Sequence, residues 1–176
     1  MTTLKVPVGP ADHVEGNPHA ECTLVEYGDY ECPHCAHAHP IVKRLQKHFG
    51  KRLRFVFRNF PLREIHPHAE SAAESAEFAG SHGKFLEMHD LLFENQERLG
   101  GTLYLELAQD LALDPASFRA ALEKREFMSK VRADFSGGVR SGVNGTPTFF
   151  INNQRHDAPF DYEDLRAAIE AASPPK

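Results

Sequence analysis

Two cysteines three residues apart, in the run Cys32-Pro33-His34-Cys35, are the side chains of this sequence best suited to chemistry. Residues i and i+3 of a helix share one side, so the two sulfurs can come within disulfide range. The thiolate is the reactive form of cysteine, and unpaired backbone N–H groups at a helix N-terminus favour it at Cys32. That effect is worth about 0.3–2 kcal/mol, or about 0.2–1.5 pKa units at ~1.36 kcal/mol per unit. It begins the activation of Cys32 without completing it. His34, one residue from either sulfur, can add a donor or a positive charge. Stabilising the thiolate favours the reduced pair and makes its disulfide more oxidising, by about 30 mV per 1.4 kcal/mol.

Such a pair needs elements to aim it. Thr23–Tyr27 has strand composition and stops at Gly28-Asp29. A helix fits Pro33 to Phe49, with Ile41, Leu45 and Phe49 on one face and Gly50 closing it. Leu53–Phe57 reads as a second strand, so strand, helix and strand form a βαβ unit with parallel strands. Residues 1–21 read as an extended lead-in.

From residue 66 the pattern turns helical. Ala69, Ala72, Ala73, Ala76 and Ala79 share a helical period, as do Phe85, Met88 and Leu92, and then Tyr104, Leu107, Ala108 and Leu111. Asp114-Pro115 opens a fourth helix. Val131, Phe135 and Val139 suggest a fifth, weakened by Gly137-Gly138. Past Gly145, Thr148–Ile151, a turn at Asn152-Asn153 and Gln154–Asp157 read as a hairpin. A last helix runs from Tyr162 to Ala171 behind Asp161 as cap. The expected fold class is therefore α/β. Residues 1–65 (lead-in and βαβ) and 143–176 (a ββα unit) form one layer, interrupted by a helical insertion over 66–142.

Three further features bear on the cysteines. Glu26 lies six residues before Cys32 in an apolar strand running toward it, where a buried carboxylate could take a proton from Cys35. The plain alternative is a strand-end carboxylate reaching water. Gly145-Thr146-Pro147-Thr148 precedes a strand, where proline is awkward except at an edge or in a cis turn. Pro40 falls in mid-helix, where it should kink the chain.

The segments Leu24–Cys35 (LVEYGDYECPHC) and Gly145–Asn152 (GTPTFFIN) together resemble the DsbA branch of the thioredoxin superfamily. The resemblance implies a thioredoxin-like core interrupted by helices. It also implies exchange of disulfides with protein substrates and an as yet unidentified redox partner. It assigns catalysis to Cys32 and Cys35 with Pro33 and His34 between them, and the buried-acid role to Glu26. Pro147 becomes a cis-proline facing the disulfide, with Thr146 beside it in contact with substrate. Pro40 matches the kinking proline of thioredoxins. Two departures point to a less oxidising site than in the archetype. Asp29 and Glu31 crowd Cys32 with negative charge, which should oppose its thiolate, and Thr146 stands where the archetype has valine.

Rival readings rest on less. CxxC pairs bind zinc, usually with a second pair or two histidines. Cys22 is the one other cysteine, some 15–20 Å of strand away at ~3.3 Å per residue, and reads as a small buried apolar residue. His37 and His39 point to different helix faces and read as solvated. His66-Pro67-His68 reads as a helix lead-in. A non-catalytic binding or chaperone module would need neither sulfur, and glutathione isomerase chemistry usually puts serine in place of Cys32. No metal and no cofactor is expected.

Composition sets the outer limits. Of 176 residues, 41% are hydrophobic and 26% charged, enough apolar material for one core. The net charge of -5 argues against nucleic acid or anionic membrane as partner. No apolar run approaches the ~20 residues that span a bilayer, and a monomer is expected. The N-terminus lacks the apolar stretch of a secretory signal. With Met1 as native start the protein is expected in the cytoplasm; with a signal already removed, in the periplasm or outside the cell.

Overall fold

The computed structural model describes residues 2–174. Its central sheet has five strands: β1 (His13–Gly16), β2 (Cys22–Gly28), β3 (Leu53–Asn59), β4 (Thr148–Ile151) and β5 (Gln154–Arg155). They lie in the order β1-β3-β2-β4-β5. β2 and β3 are parallel, in register from Cys22 opposite Leu53 to Gly28 opposite Asn59, and the other pairs are antiparallel. Helix α1 (Pro33–Phe49) makes the crossover between the parallel strands. Between β3 and β4 run α2 (Ala69–Gly80), α3 (Phe85–Glu94), a 3-10 turn (Gln96–Arg98), α4 (Gly101–Asp110), α5 (Pro115–Glu123) and α6 (Met128–Arg140). Helix α7 (Tyr162–Ala172) follows β5 behind Asp161, whose carboxylate caps it at the Asp164 N–H.

Alternation along β2 and β3 divides the interior in two. Leu24, Phe55 and Phe57 join the larger core, which takes in Leu45 and Phe49 of α1, Met88 of α3, and Leu165 and Ile169 of α7. Val25, Tyr27 and Val56 face the other way, into a smaller cluster with Phe60 and Phe150. Glu26 shares the parity of Leu24, so it faces the same side as the cysteines.

Three local expectations are corrected. The lead-in over 1–21 holds a strand, β1, which pairs with β3; His-Val-Glu-Gly is too short and too polar to announce it. Gly16 ends that strand at φ +93, where an added Cβ would come within 2.8 Å of the Leu53 carbonyl, so no larger residue fits. The second strand of the hairpin is only Gln154–Arg155 rather than reaching Asp157. Helix α6 runs unbroken through Gly137-Gly138, where the missing side chains let it settle on Val6, Tyr27 and Phe60.

Candidate active site

The site forms where β2 ends and α1 begins. Gly28 closes β2; a Cβ there would meet the Phe57 ring at 2.5 Å and Glu26 Oε1 at 3.0 Å, so glycine leaves the room that the Glu26 carboxyl fills. Cys32 is the N-cap residue of α1, extended at φ -74 and ψ 122, and Pro33 takes the first helical position. Pro favours that position because its fixed φ suits the helix and its missing N–H was unpaired anyway. Pro33 and His34 are exposed, whereas Cys32 and Cys35 are buried and free. Pro40 lies inside α1 on its exposed side.

The two sulfurs differ sharply. The Cys32 thiol is pulled down to about 5, chiefly by a hydrogen bond from Cys35, against the cost of its own burial. The Thr146 side chain and the backbone N–H groups of Cys35 and His34 add to that pull. His34 thus contributes through its amide. Burial, and the bond to Cys32, push the Cys35 thiol well up. The N–H of Asp29 donates to Cys35 Sγ at 3.5 Å. Across the site the Thr146–Pro147 peptide is cis, and the Thr146 carbonyl accepts from Cys32 Sγ at 3.5 Å. The Thr146 hydroxyl is buried without a well-aligned hydrogen bond.

Glu26 is 2% exposed, and its Oε1 has no hydrogen-bond partner. Burial first, and the Cys32 charge second, raise its carboxyl to about 8, so it carries a proton at neutral pH. The alternative of a strand-end carboxylate reaching water is not what the structure shows.

Asp29 and Glu31 act differently from expectation. Asp29 is buried and accepts from the N–H groups of Glu31 at 2.7 Å and Leu62 at 2.8 Å, with His66 Nδ1 at 2.8 Å. Glu31 accepts from the His68 N–H at 2.7 Å and lies 2.8 Å from His68 Nδ1. Carboxylates held this way have their charge answered locally, and they do not keep the Cys32 thiol up. His66 and His68, a lead-in by sequence, are therefore also the partners of the two acids. Only their nearness to α2 was readable; nothing in the spacing places them beside residues 29 and 31.

His37 is exposed as expected, but His39 is buried against Phe93. Its ring lies near His89 and Asp90, with possible ligand atoms of the three within 4.8 Å of one another. Lys43 Nζ lies 2.9 Å from Asp90 Oδ1, so an ammonium already answers that carboxylate, and burial holds both histidines below their ordinary pKa. Cys22 sits at the far end of β2, fully buried, its thiol raised by burial to about 11.

A family model described as thioredoxin matches residues 9–171. BdbD from Bacillus subtilis, in its oxidised form, superposes with a TM-score of 0.83 at 26% identity, over 92% of each chain. A thioredoxin-like oxidoreductase from Silicibacter pomeroyi superposes at 0.79 with 27% identity, over 93% of each. The chain belongs to the thioredoxin family, and its fold is that of DsbA-like structures. A curated relative, Na(+)/H(+) antiporter NhaA 1 of Salinispora arenicola, is 45% identical over 170 residues, which are 96% of this chain and 26% of that protein. The chain thus spans about a quarter of the length of such relatives. No helix among the described residues is long and apolar enough to cross a membrane.

Proposed function

We propose that this chain exchanges disulfides with protein substrates through Cys32 and Cys35, by way of a mixed disulfide. The observation that carries this is the opposed state of two sulfurs one helical turn apart: Cys32 lowered to about 5 and Cys35 raised, above a protonated, unpartnered Glu26. In the oxidising direction a substrate thiolate attacks Cys32 Sγ of the Cys32–Cys35 disulfide. A new S–S bond forms to Cys32, the old one breaks, and Cys35 leaves, taking its proton from Glu26. A second substrate thiolate then attacks the substrate sulfur of the mixed disulfide. The substrate gains a disulfide, and Cys32 departs as a thiolate stable at its lowered pKa. In reverse, Glu26 takes the Cys35 proton as that sulfur resolves the mixed disulfide. Thr146 and Pro147 line up the substrate segment as an added strand beside the cysteines.

Two of the finer expectations shift. With Asp29 and Glu31 held by backbone N–H groups, and the Thr146 side chain itself helping to lower the Cys32 thiol, neither departure still argues for a tempered site. A thiol at about 5 stands between those of thioredoxin, about 7, and DsbA, about 3.5. The proposed potential accordingly lies between about -270 and -120 mV. Work as a monomer with a separate redox partner is part of the same reading. In the longer antiporter relatives the matching quarter would be the exchange module, whatever the remainder transports.

The test is a trap. A Cys35→Ser variant should hold substrate proteins as covalent, thiol-reversible adducts, and Cys32→Ser should hold none and exchange nothing. Equal adducts from both variants, or stoichiometric zinc in the wild type with no exchange, would sink the proposal.

A further inference from the structure

The segment carrying Cys32 is tied to the helical part of the chain by one side chain that the exchange chemistry does not touch. Gln96, in the 3-10 turn after α3, places Nε2 2.8 Å from the Tyr30 carbonyl oxygen and 2.9 Å from the Cys32 carbonyl oxygen. Both partners can only accept, so only the NH2 end of an amide, with its two hydrogens, satisfies the pair. The Cys32 carbonyl also takes the first two hydrogen bonds of α1, from the Cys35 and Ala36 N–H groups at 3.1 Å each. Gln96 thus holds the carbonyl on which the first turn of α1 is built. That turn supplies the Cys35 and His34 N–H groups that lower the Cys32 thiol. Tyr30, the other residue held, is anchored again through its hydroxyl, 2.9 Å from His89 Nδ1 of α3.

We infer that Gln96 is a positioning residue: it clamps the backbone at Tyr30 and Cys32 so that the Cys32 sulfur stays over the donors of the first helical turn. The inference rests on the exchange reading and adds to it a control point outside the strand-helix unit that bears the cysteines. Without the two hydrogen bonds, residues 30–32 gain freedom, the sulfur spends less time over those N–H groups, and the thiolate loses part of its stabilisation. A carboxylate in the same place would meet two carbonyl oxygens and set a like charge near the thiolate, doing more harm. An ammonium, which only donates, would keep the clamp.

The test uses the whole chain carrying Gln96→Ala, Gln96→Glu or Gln96→Lys, with folding checked by circular dichroism. Thiolate absorbance against pH and the rate of Cys32 alkylation by iodoacetamide below the titration midpoint are then read. Gln96→Ala, neutral like glutamine, isolates the hydrogen bonds. It should slow alkylation about threefold to tenfold, the scale of losing one or two net hydrogen bonds, and move the midpoint upward. Gln96→Glu should move it further, and Gln96→Lys should bring it back to the wild-type value or below. Wild-type titration and rate in a folded Gln96→Ala overturn the clamp while the exchange reading stands. A lowered melting temperature with an unmoved thiol overturns it too, by showing Gln96 to be structural only. An ordinary thiol near 9 in the wild type overturns the exchange reading itself.

Discussion

The two faces of β2 and β3 bury charge in opposite ways. On the face away from the cysteines, Arg58 is 3% exposed and every donor it offers is used. Its Nε and Nη2 grip both oxygens of Asp12 at 2.8 and 2.9 Å, and Nη1 reaches the Tyr27 hydroxyl and the Val6 carbonyl, each at 2.8 Å. Burial, the largest single influence, pushes the Asp12 carboxyl up, yet Arg58, the Gly9 N–H and Lys130 together outweigh it and leave that carboxyl below its ordinary value. On the cysteine face Glu26 is as deeply buried, has an oxygen with no partner, and keeps its proton up to about 8. One pair of strands thus carries a satisfied charge that holds the fold together and an unsatisfied acid that can move a proton. The lesson is that burial alone does not mark a functional residue. What marks it is burial without partners beside a reactive group.

The polar face depends most heavily on Arg58. Arg58→Met leaves the Asp12 carboxylate and the Tyr27 hydroxyl buried and short of a partner, and removing one member of a buried pair costs about 3–5 kcal/mol. Urea unfolding at pH 7 should show a loss of that size, with the Cys32 titration unmoved. A loss below about 1 kcal/mol would mean that this face is wetter than its burial implies, and a shifted thiol would mean that the faces are coupled.

Glu26 should respond with the opposite sign. Its carboxyl is raised from an ordinary 4.5 to about 8, so between those values the folded chain keeps a proton the unfolded chain has lost. Stability therefore falls as pH rises from about 4.5 to about 8. Below 4.5 both states are protonated and nothing is lost. Cys32 works the other way in the reduced protein: lowered from 9 to about 5, it adds stability as pH rises through that range. The disulfide form separates the two, because Cys32 then has no proton to exchange and burial, the larger cause, still acts on Glu26. Glu26→Leu should flatten the pH slope of the oxidised protein. It should also stabilise that form by about 1–3 kcal/mol at pH 8, the cost of a buried group without a partner, while slowing release from the mixed disulfide. An unchanged slope would make Glu26 a bystander.

Much of this contrast was legible in the chain, and unevenly so. The spacing of Cys32 and Cys35 and the place of Glu26 on an apolar strand running toward them follow from local pattern, the family resemblance implied Thr146 and Pro147 opposite, and the structure brings these residues together. The answering of Asp29 and Glu31 by His66 and His68, and the reach of Gln96 to residues 30 and 32, were not legible. These contacts cross 37 to 66 positions, and local pattern says nothing about which surface of a helical segment meets a loop that far away. The burial of His39 was missed for the same reason, since it depends on where α3 lies. Arg58 gave a weaker hint: a charge in line with Val56 on a buried strand must find a partner, but Asp12 lies in a lead-in with no regular pattern.

The smallest effect tests how tightly α6 closes the polar face. Gly137 and Gly138 both face the sheet, yet an added Cβ meets different neighbours. At Gly138 it would lie 2.7 Å from Phe60 Cδ2 and 3.0 Å from Tyr27 Cδ1, both rigid rings in a packed cluster. At Gly137 it would lie 3.1 Å from Val6 Cγ2, a methyl group on the lead-in that can give by a few tenths of an ångström. Alanine gains about 1 kcal/mol over glycine in a helix interior, whereas overpacking a filled core costs about 1–3 kcal/mol. Gly137→Ala should therefore stay within about 0.5 kcal/mol of the wild type or gain slightly, the helix preference offsetting a mild contact. Gly138→Ala should lose about 1 kcal/mol, a fall of about 2–4 °C in melting temperature for a chain of this size. Equal effects at the two positions would show that α6 sits more loosely on Tyr27 than the distances indicate. The ring that holds the Arg58 guanidinium in place would then be free to move, and the loss expected from Arg58→Met would shrink with it.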